Sequence, residues 1–124
     1  MAVSSPSPRQ PARGGQTPGR PFASAAEAWF WYMTCHQARL DGARIVAGAG
    51  SVGRPCEPAD IRAVVVRLYH AGRLHGDHLR VMVRYGRGML PPDPTRPALA
   101  KHARHWDEAM ARLEPVLRAK GIVA

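Results

Sequence analysis

The apolar pattern is longest and most regular between Pro97 and Lys120, PALAKHARHWDEAMARLEPVLRAK. Leu99, Ala103, Trp106, Met110, Leu113 and Leu117 recur at steps of four, three, four, three and four. That spacing holds one face of a helix for about five turns. Lys101, Arg104, His105, Glu108 and Arg112 fall on the other side as a mostly basic stripe. Pro115 interrupts the pattern: it removes the backbone bond to Ala111 and predicts a kink or a division near Glu114. Gly121 ends the helix.

Three shorter helices are expected before it. Ser24-Ala-Ala-Glu27 reads as a capping box, and a helix should run from there to about Leu40. Its main face is Ala26, Trp29, Met33, His36 and Leu40, with Phe30 at the edge. Trp31 points the opposite way, so the helix is either packed on two sides or offers Trp31 to an interface; the first reading is preferred. Pro58 and Asp60 suit the first turn of a second helix, which buries Ile61, Val64, Val65, Leu68 and Ala71 and stops at Gly72. Val64-Val65-Val66 also suits a strand, but the proline start and the helical spacing favour a helix. Asp77 is the expected N-cap of a third helix, His78 to Tyr85, closed by Gly86. Leu79, Met82 and Val83 face inward there, and Arg80, Arg84 and Arg87 outward.

The expected fold is therefore all-α, a small bundle of about four helices spanning residues 22–121. Residues 1–21 are rich in Ser, Pro, Gly and Gln, carry Arg9, Arg13 and Arg20, and have little to bury. They are expected to form a disordered basic tail.

Charge narrows the partners. The formal net charge is +9, which favours an anionic partner: nucleic acid, acidic protein or anionic membrane. Of 18 basic residues, only Lys101 and Lys120 are lysine. An arginine skew beside abundant Ala, Gly and Pro also follows from GC-rich coding, which tempers charge as a sign of selection for DNA. Two cysteines, Cys35 and Cys56, make no disulfide scaffold and read as reduced thiols. No apolar run is long enough to span a bilayer, and the N-terminus lacks the apolar centre of a secretory signal. Arginines and serines without an acid before Glu27 fit a transit peptide, but the prolines argue against an amphipathic presequence. A cytoplasmic protein without a membrane partner is expected.

Several enzyme signals fail on their context. Gly48, Gly50 and Gly53 satisfy G-x-G-x-x-G, yet Arg54-Pro55-Cys56-Glu57-Pro58 follows at once and forbids the helix that would hold a pyrophosphate. A flexible loop or packed turn fits better. Six histidines invite a metal, with His70, His75 and His78 near one turn and His102 and His105 three apart, but no zinc spacing is met. Cys35 and His36 are adjacent and point about 100° apart on a helix, so they cannot pair directly. Asp107 and Glu108 read as salt-bridge partners of Arg104 and Arg112. Neither an enzyme nor a cofactor is expected.

Nucleic acid fits better. The second and third helices are joined by a short turn, as in a helix-turn-helix pair. Arg80, Arg84 and Arg87 on the third helix, with Lys101, Arg104, His105 and Arg112 on the long one, form the candidate nucleic-acid-binding set. Arginine can fork onto phosphate or onto a guanine edge. A plain solvated face with its charges paired is the equal alternative.

The segment Ile61 to Gly86, IRAVVVRLYHAGRLHGDHLRVMVRYG, resembles the opening helices of sigma-factor region-4-like helix-turn-helix domains, including phage late-gene antitermination regulators. Leu79, Val81, Tyr85 and Gly86 match the ending of the helix that precedes the reading unit. Here Pro91-Pro92-Asp93-Pro94 intervenes before the next helix. The resemblance implies a transcriptional regulator that binds duplex DNA, with RNA polymerase or a second copy as further partners, and with Lys101, Arg104, His105 and Arg112 as contacts of the reading helix. The alternative is a helical adaptor that engages another protein through Trp31, Trp106 and the proline-rich loop, or pairs with itself.

Overall fold

The computed structural model describes residues 19–42 and 54–124. Four α-helices account for most of them: α1 (Ala25–Leu40), α2 (Pro58–His70), α3 (Gly76–Gly88) and α4 (Ala100–Ala119). A 3₁₀ turn, Pro97–Leu99, leads into α4. The described residues contain no strand; one isolated parallel bridge joins Phe22 to Val123. The all-α reading therefore holds. The expected tail, over residues 1–18, and the glycine motif at 48–53 lie outside the described residues.

α1 and α4 each pack against all three other helices. Ser24 Oγ accepts the Glu27 N–H at 3.2 Å. The Glu27 carboxylate accepts from Ala23, at 2.6 Å, one residue before the expected partner. Glu114, reaching across from α4, accepts the Ala25 N–H at 3.1 Å. The Ser24 hydroxyl and the Glu114 carboxylate thus each satisfy one orphan donor of the first turn, and two carboxylates stand at the positive end of the helix. The buried face is Ala25, Ala28, Trp29 and Met33, whereas His36 and Leu40 are exposed, Leu40 at 63%. The expected face needs this correction because the last two turns of α1 contribute no buried residue. Trp31 is half-buried and lies 5.3 Å from the Phe22 ring, so α1 is covered on this side too.

α2 forms as its proline start and apolar spacing require. Asp60 accepts the Glu57 N–H at 2.8 Å, and Ile61, Val64, Val65 and Leu68 are buried. Ala71 lies beyond the helix and is exposed.

α3 is longer at both ends than its sequence suggests. His75, not Asp77, is the N-cap, and Asp77 sits in the first turn. The helix also runs through Gly86 to Gly88 and is capped by Met89 at φ 58°. Gly86 is buried and serves a close approach instead of a stop. A Cβ there would meet Met33 Cγ at 2.7 Å and Trp29 Nε1 at 2.8 Å. That gap lets the Trp29 indole donate to the Met82 carbonyl at 2.8 Å. His78, Val81 and Met82 are buried, while Leu79 and Val83 are only half-buried.

α4 buries Ala103, Trp106, Ala109, Leu113 and Leu117, with Leu99 and Met110 at the margins. Pro115 does not divide it: the helix continues to Ala119. Pro115 and Ala111 are both exposed, so the carbonyl that loses its partner faces water. Gly121 takes φ 77° and turns the chain back. Packing extends past it, because Ile122 and Val123 are buried. Phe22 donates to Ile122 at 2.9 Å and Ala124 donates to Phe22 at 2.9 Å, so the two ends of the packed unit are clasped together.

Candidate nucleic-acid interface

α3 and α4 lie side by side and leave an open groove of about 260 Å³ between them. Asp77, Arg80, Val81 and Arg84 line it from α3, and Lys101, His102 and His105 line it from α4. Each set follows from helical spacing, since residues three, four and seven apart share a face. Val81 is buried and forms part of the floor, and the charged groups stand around it.

The polar contacts in the groove are few. Arg80 donates to the Asp77 carboxylate three residues earlier, and both side chains are mostly exposed. The Arg80 hydrogen bond, then the Arg80 charge, holds the Asp77 carboxyl below the usual range; His105 and Lys101 add to the effect. The Tyr85 hydroxyl and His102 Nδ1 share a hydrogen bond of 2.8 Å. The Arg84 guanidinium carbon stands 5.7 Å from the centre of the Tyr85 ring, a cation–π contact that orients it.

Behind the groove a buried histidine sets the spacing of the two walls. His78 is 3% exposed. Its Nδ1 lies 3.0 Å from the His75 N–H and accepts it, so the ring proton belongs on Nε2. Nε2 then donates to Glu108 of α4 at 2.9 Å. This bond is the largest cause holding the Glu108 carboxyl below the ordinary range. The His105 ring meets His78 edge-on at 5.6 Å. One α3 side chain thus caps its own helix, grips α4 and supports a groove residue.

The sequence-predicted residues divide. Arg80, Arg84, Lys101 and His105 come together in the groove. Arg87 and Arg104 are exposed on the same two helices but do not line it. Arg112 is half-buried and donates to the Arg73 carbonyl at 3.1 Å, so it holds the α2–α3 turn and does not face the groove. Glu108 pairs with His78 instead of an arginine, and the expected Arg104 and Arg112 salt bridges are absent among the described residues. His102, Asp77 and Tyr85 are groove features outside the predicted set. The i, i+3 spacing of His102 and His105 beside Lys101 was the available signal for His102.

Among the described residues, the arginine–carboxylate pairs are Arg80–Asp77 and Arg118–Glu114. Arg84, Arg87, Lys101 and Arg104 have no carboxylate at ion-pair distance there. Cys35 and Cys56 are free and half-buried. Burial, ahead of Asp60, Glu57 and Cys35, pushes the Cys56 thiol up to about 12, and burial also raises Cys35. Both stay protonated near neutral pH and are poor nucleophiles. No group of three or more His, Cys, Asp or Glu among the described residues could hold a metal. No described helix is long and apolar enough to cross a membrane. The chain matches no family model, no curated protein and no solved structure.

Proposed function

We propose that the protein binds duplex DNA through the basic face of α3 and α4, with backbone phosphates entering the groove between them. The observation that carries this reading is the convergence of Arg80, Arg84, Lys101, His102 and His105 from two helices onto one groove with Asp77 as its sole carboxylate. The first turn of α4 holds no acidic residue, so its positive helix end adds to the attraction beside Lys101. Five residues, Ala71 to His75, join α2 to α3, a turn length that accords with a helix-turn-helix pair. A transcriptional regulator is the role that this connection and the sigma-factor-like resemblance add. The adaptor reading keeps the mostly exposed proline-rich loop and a half-buried Trp31 that packs on Phe22, but Trp106 is buried in the core.

The test is fluorescence anisotropy of a labelled duplex across a salt series. Arg80, Arg84 and Lys101 each neutralising one phosphate give a slope of log affinity against log salt of about −2.7. Affinity then falls about 40-fold between 50 and 200 mM salt. The double variant R84A/K101A brings the slope to about −0.9, and with it a loss of only about 3.5-fold over the same range. No binding at 50 mM salt, or a slope unchanged in the double variant, refutes the proposal.

A further inference from the structure

Asp77 stands in the first turn of α3, where a carboxylate suits the positive helix end, and at the same time among the cations of the groove. It is not the N-cap of α3, a place taken by His75. Its carboxylate bonds to Arg80 and faces His105 and Lys101 across the groove. The other charged or titratable groups lining the groove are Arg84 and His102. A carboxylate so placed takes up a guanidinium that otherwise faces the open groove.

We infer that Asp77 is a built-in competitor for the groove: it holds Arg80 as an incoming phosphate would, and a phosphate must displace it to take that guanidinium. The inference rests on the reading of the groove as a phosphate site. The displacement is easy, because an exposed i, i+3 ion pair of this kind is weak and screened by salt. A weak internal competitor leaves strong binding possible where several phosphates act together, while isolated phosphates are held poorly. Asp77 thereby lowers the affinity for either kind of ligand by the same factor, a loss that a polyanion with further contacts tolerates and a small phosphorylated solute does not. It also makes Arg80 the last of the groove cations to engage.

The experiment uses the full chain and two probes, a 20-base-pair duplex and inorganic pyrophosphate. Pyrophosphate binding is followed by the imidazole NMR signals of His102 and His105. D77N is expected to tighten both by about twofold to fivefold at 50 mM salt. The gain should fall below about twofold in an R80A background, since the competitor then loses its hydrogen-bonded partner and keeps only the facing Lys101 and His105. D107N, which removes one charge from an exposed α4 position outside the groove lining, should change affinity less than twofold. A D77N affinity equal to or below that of the wild type overturns the inference, as does a gain that survives R80A or is matched by D107N. The two readings fail separately. If the duplex does not bind but D77N tightens pyrophosphate in an Arg80-dependent way, the DNA proposal falls and the competitor stands.

Discussion

Replacing Gly86 by alanine puts a methyl group where two side chains of α1 already press against α3. The added carbon would sit 2.7 Å from Met33 Cγ and 2.8 Å from Trp29 Nε1, both closer than carbon contacts allow. Three effects compete. Alanine is the better helix former by about 1 kcal/mol, which favours the variant. Overpacking a core contact costs about 1–3 kcal/mol. Moving Trp29 breaks its 2.8 Å bond to the Met82 carbonyl and strands a buried indole donor, at a further cost of about 1–3 kcal/mol. The net is a loss of about 3 kcal/mol, with a spread of about 2 either way. For a domain of this size that lowers the melting temperature by more than about 10 °C in most of the range. Circular dichroism at 222 nm, in thermal and urea melts, reads it directly. The effect should also be coupled to Trp29: in a W29F background the same glycine change should cost at least about 1 kcal/mol less. A melting temperature for G86A at or above the wild type would show that helix propensity wins and that the approach of Trp29 is not the reason for the glycine.

Removing Ile122, Val123 and Ala124 should unclasp the two ends of the packed unit. Two buried aliphatic side chains and the bonds to Phe22 are lost, and urea melts should show a drop of about 3–6 kcal/mol. Pro115 sits on the exposed side of α4, so P115A should restore a helical bond without a clash and raise stability by about 1–3 kcal/mol in the same assay. Glu108 titrates lower in the folded chain than in the unfolded one because His78 donates to it. Its contribution is therefore fully present above the ordinary carboxylate value of about 4.3 and is lost as pH falls through the lower folded value. E108Q should flatten the acid limb of the stability curve below about pH 4.3.

Helix existence was legible because it depends on local spacing. The capping serine at 24, the proline at 58 and the apolar steps in α2 and α4 each act within one or two turns. What could not be read locally were the consequences of contacts between helices. Gly86 reads as a stop because glycine usually ends helices, and only the arrival of Trp29 from α1 gives it another purpose. His36 and Leu40 continue the apolar register of α1, but the neighbouring helices do not cover its last turns. Arg112 lies on the basic stripe, and its different fate depends on the Arg73 carbonyl, brought near by folding. The groove itself was half visible. The phases of α3 and α4 separate Arg80, Arg84 and Lys101 from the apolar faces, but a sequence does not specify that the two outward edges meet.

That the edges meet is costly to the fold, and this bears on why they do. Arg80 and Arg84 are four residues apart on α3, and Lys101 and Arg104 are three apart on α4. Like charges at such spacings destabilise a helix by about 0.2–0.5 kcal/mol per pair. Bringing both helices together adds repulsion across the groove, and Asp77 is the only carboxylate lining it. Each position is exposed, so a neutral or acidic residue would pack equally well. Elsewhere the chain does place acids against its cations, as Glu114 does for Arg118 at 2.9 Å. Groups that oppose folding and are not required by packing fit the proposed function, in which a ligand offsets their repulsion. In the proposed function that ligand is anionic and reaches cations on two helices. A phosphate backbone meets both conditions and also reaches the cations outside the groove, such as Arg87 and Arg104, which a single anion seated in the groove leaves unpaired.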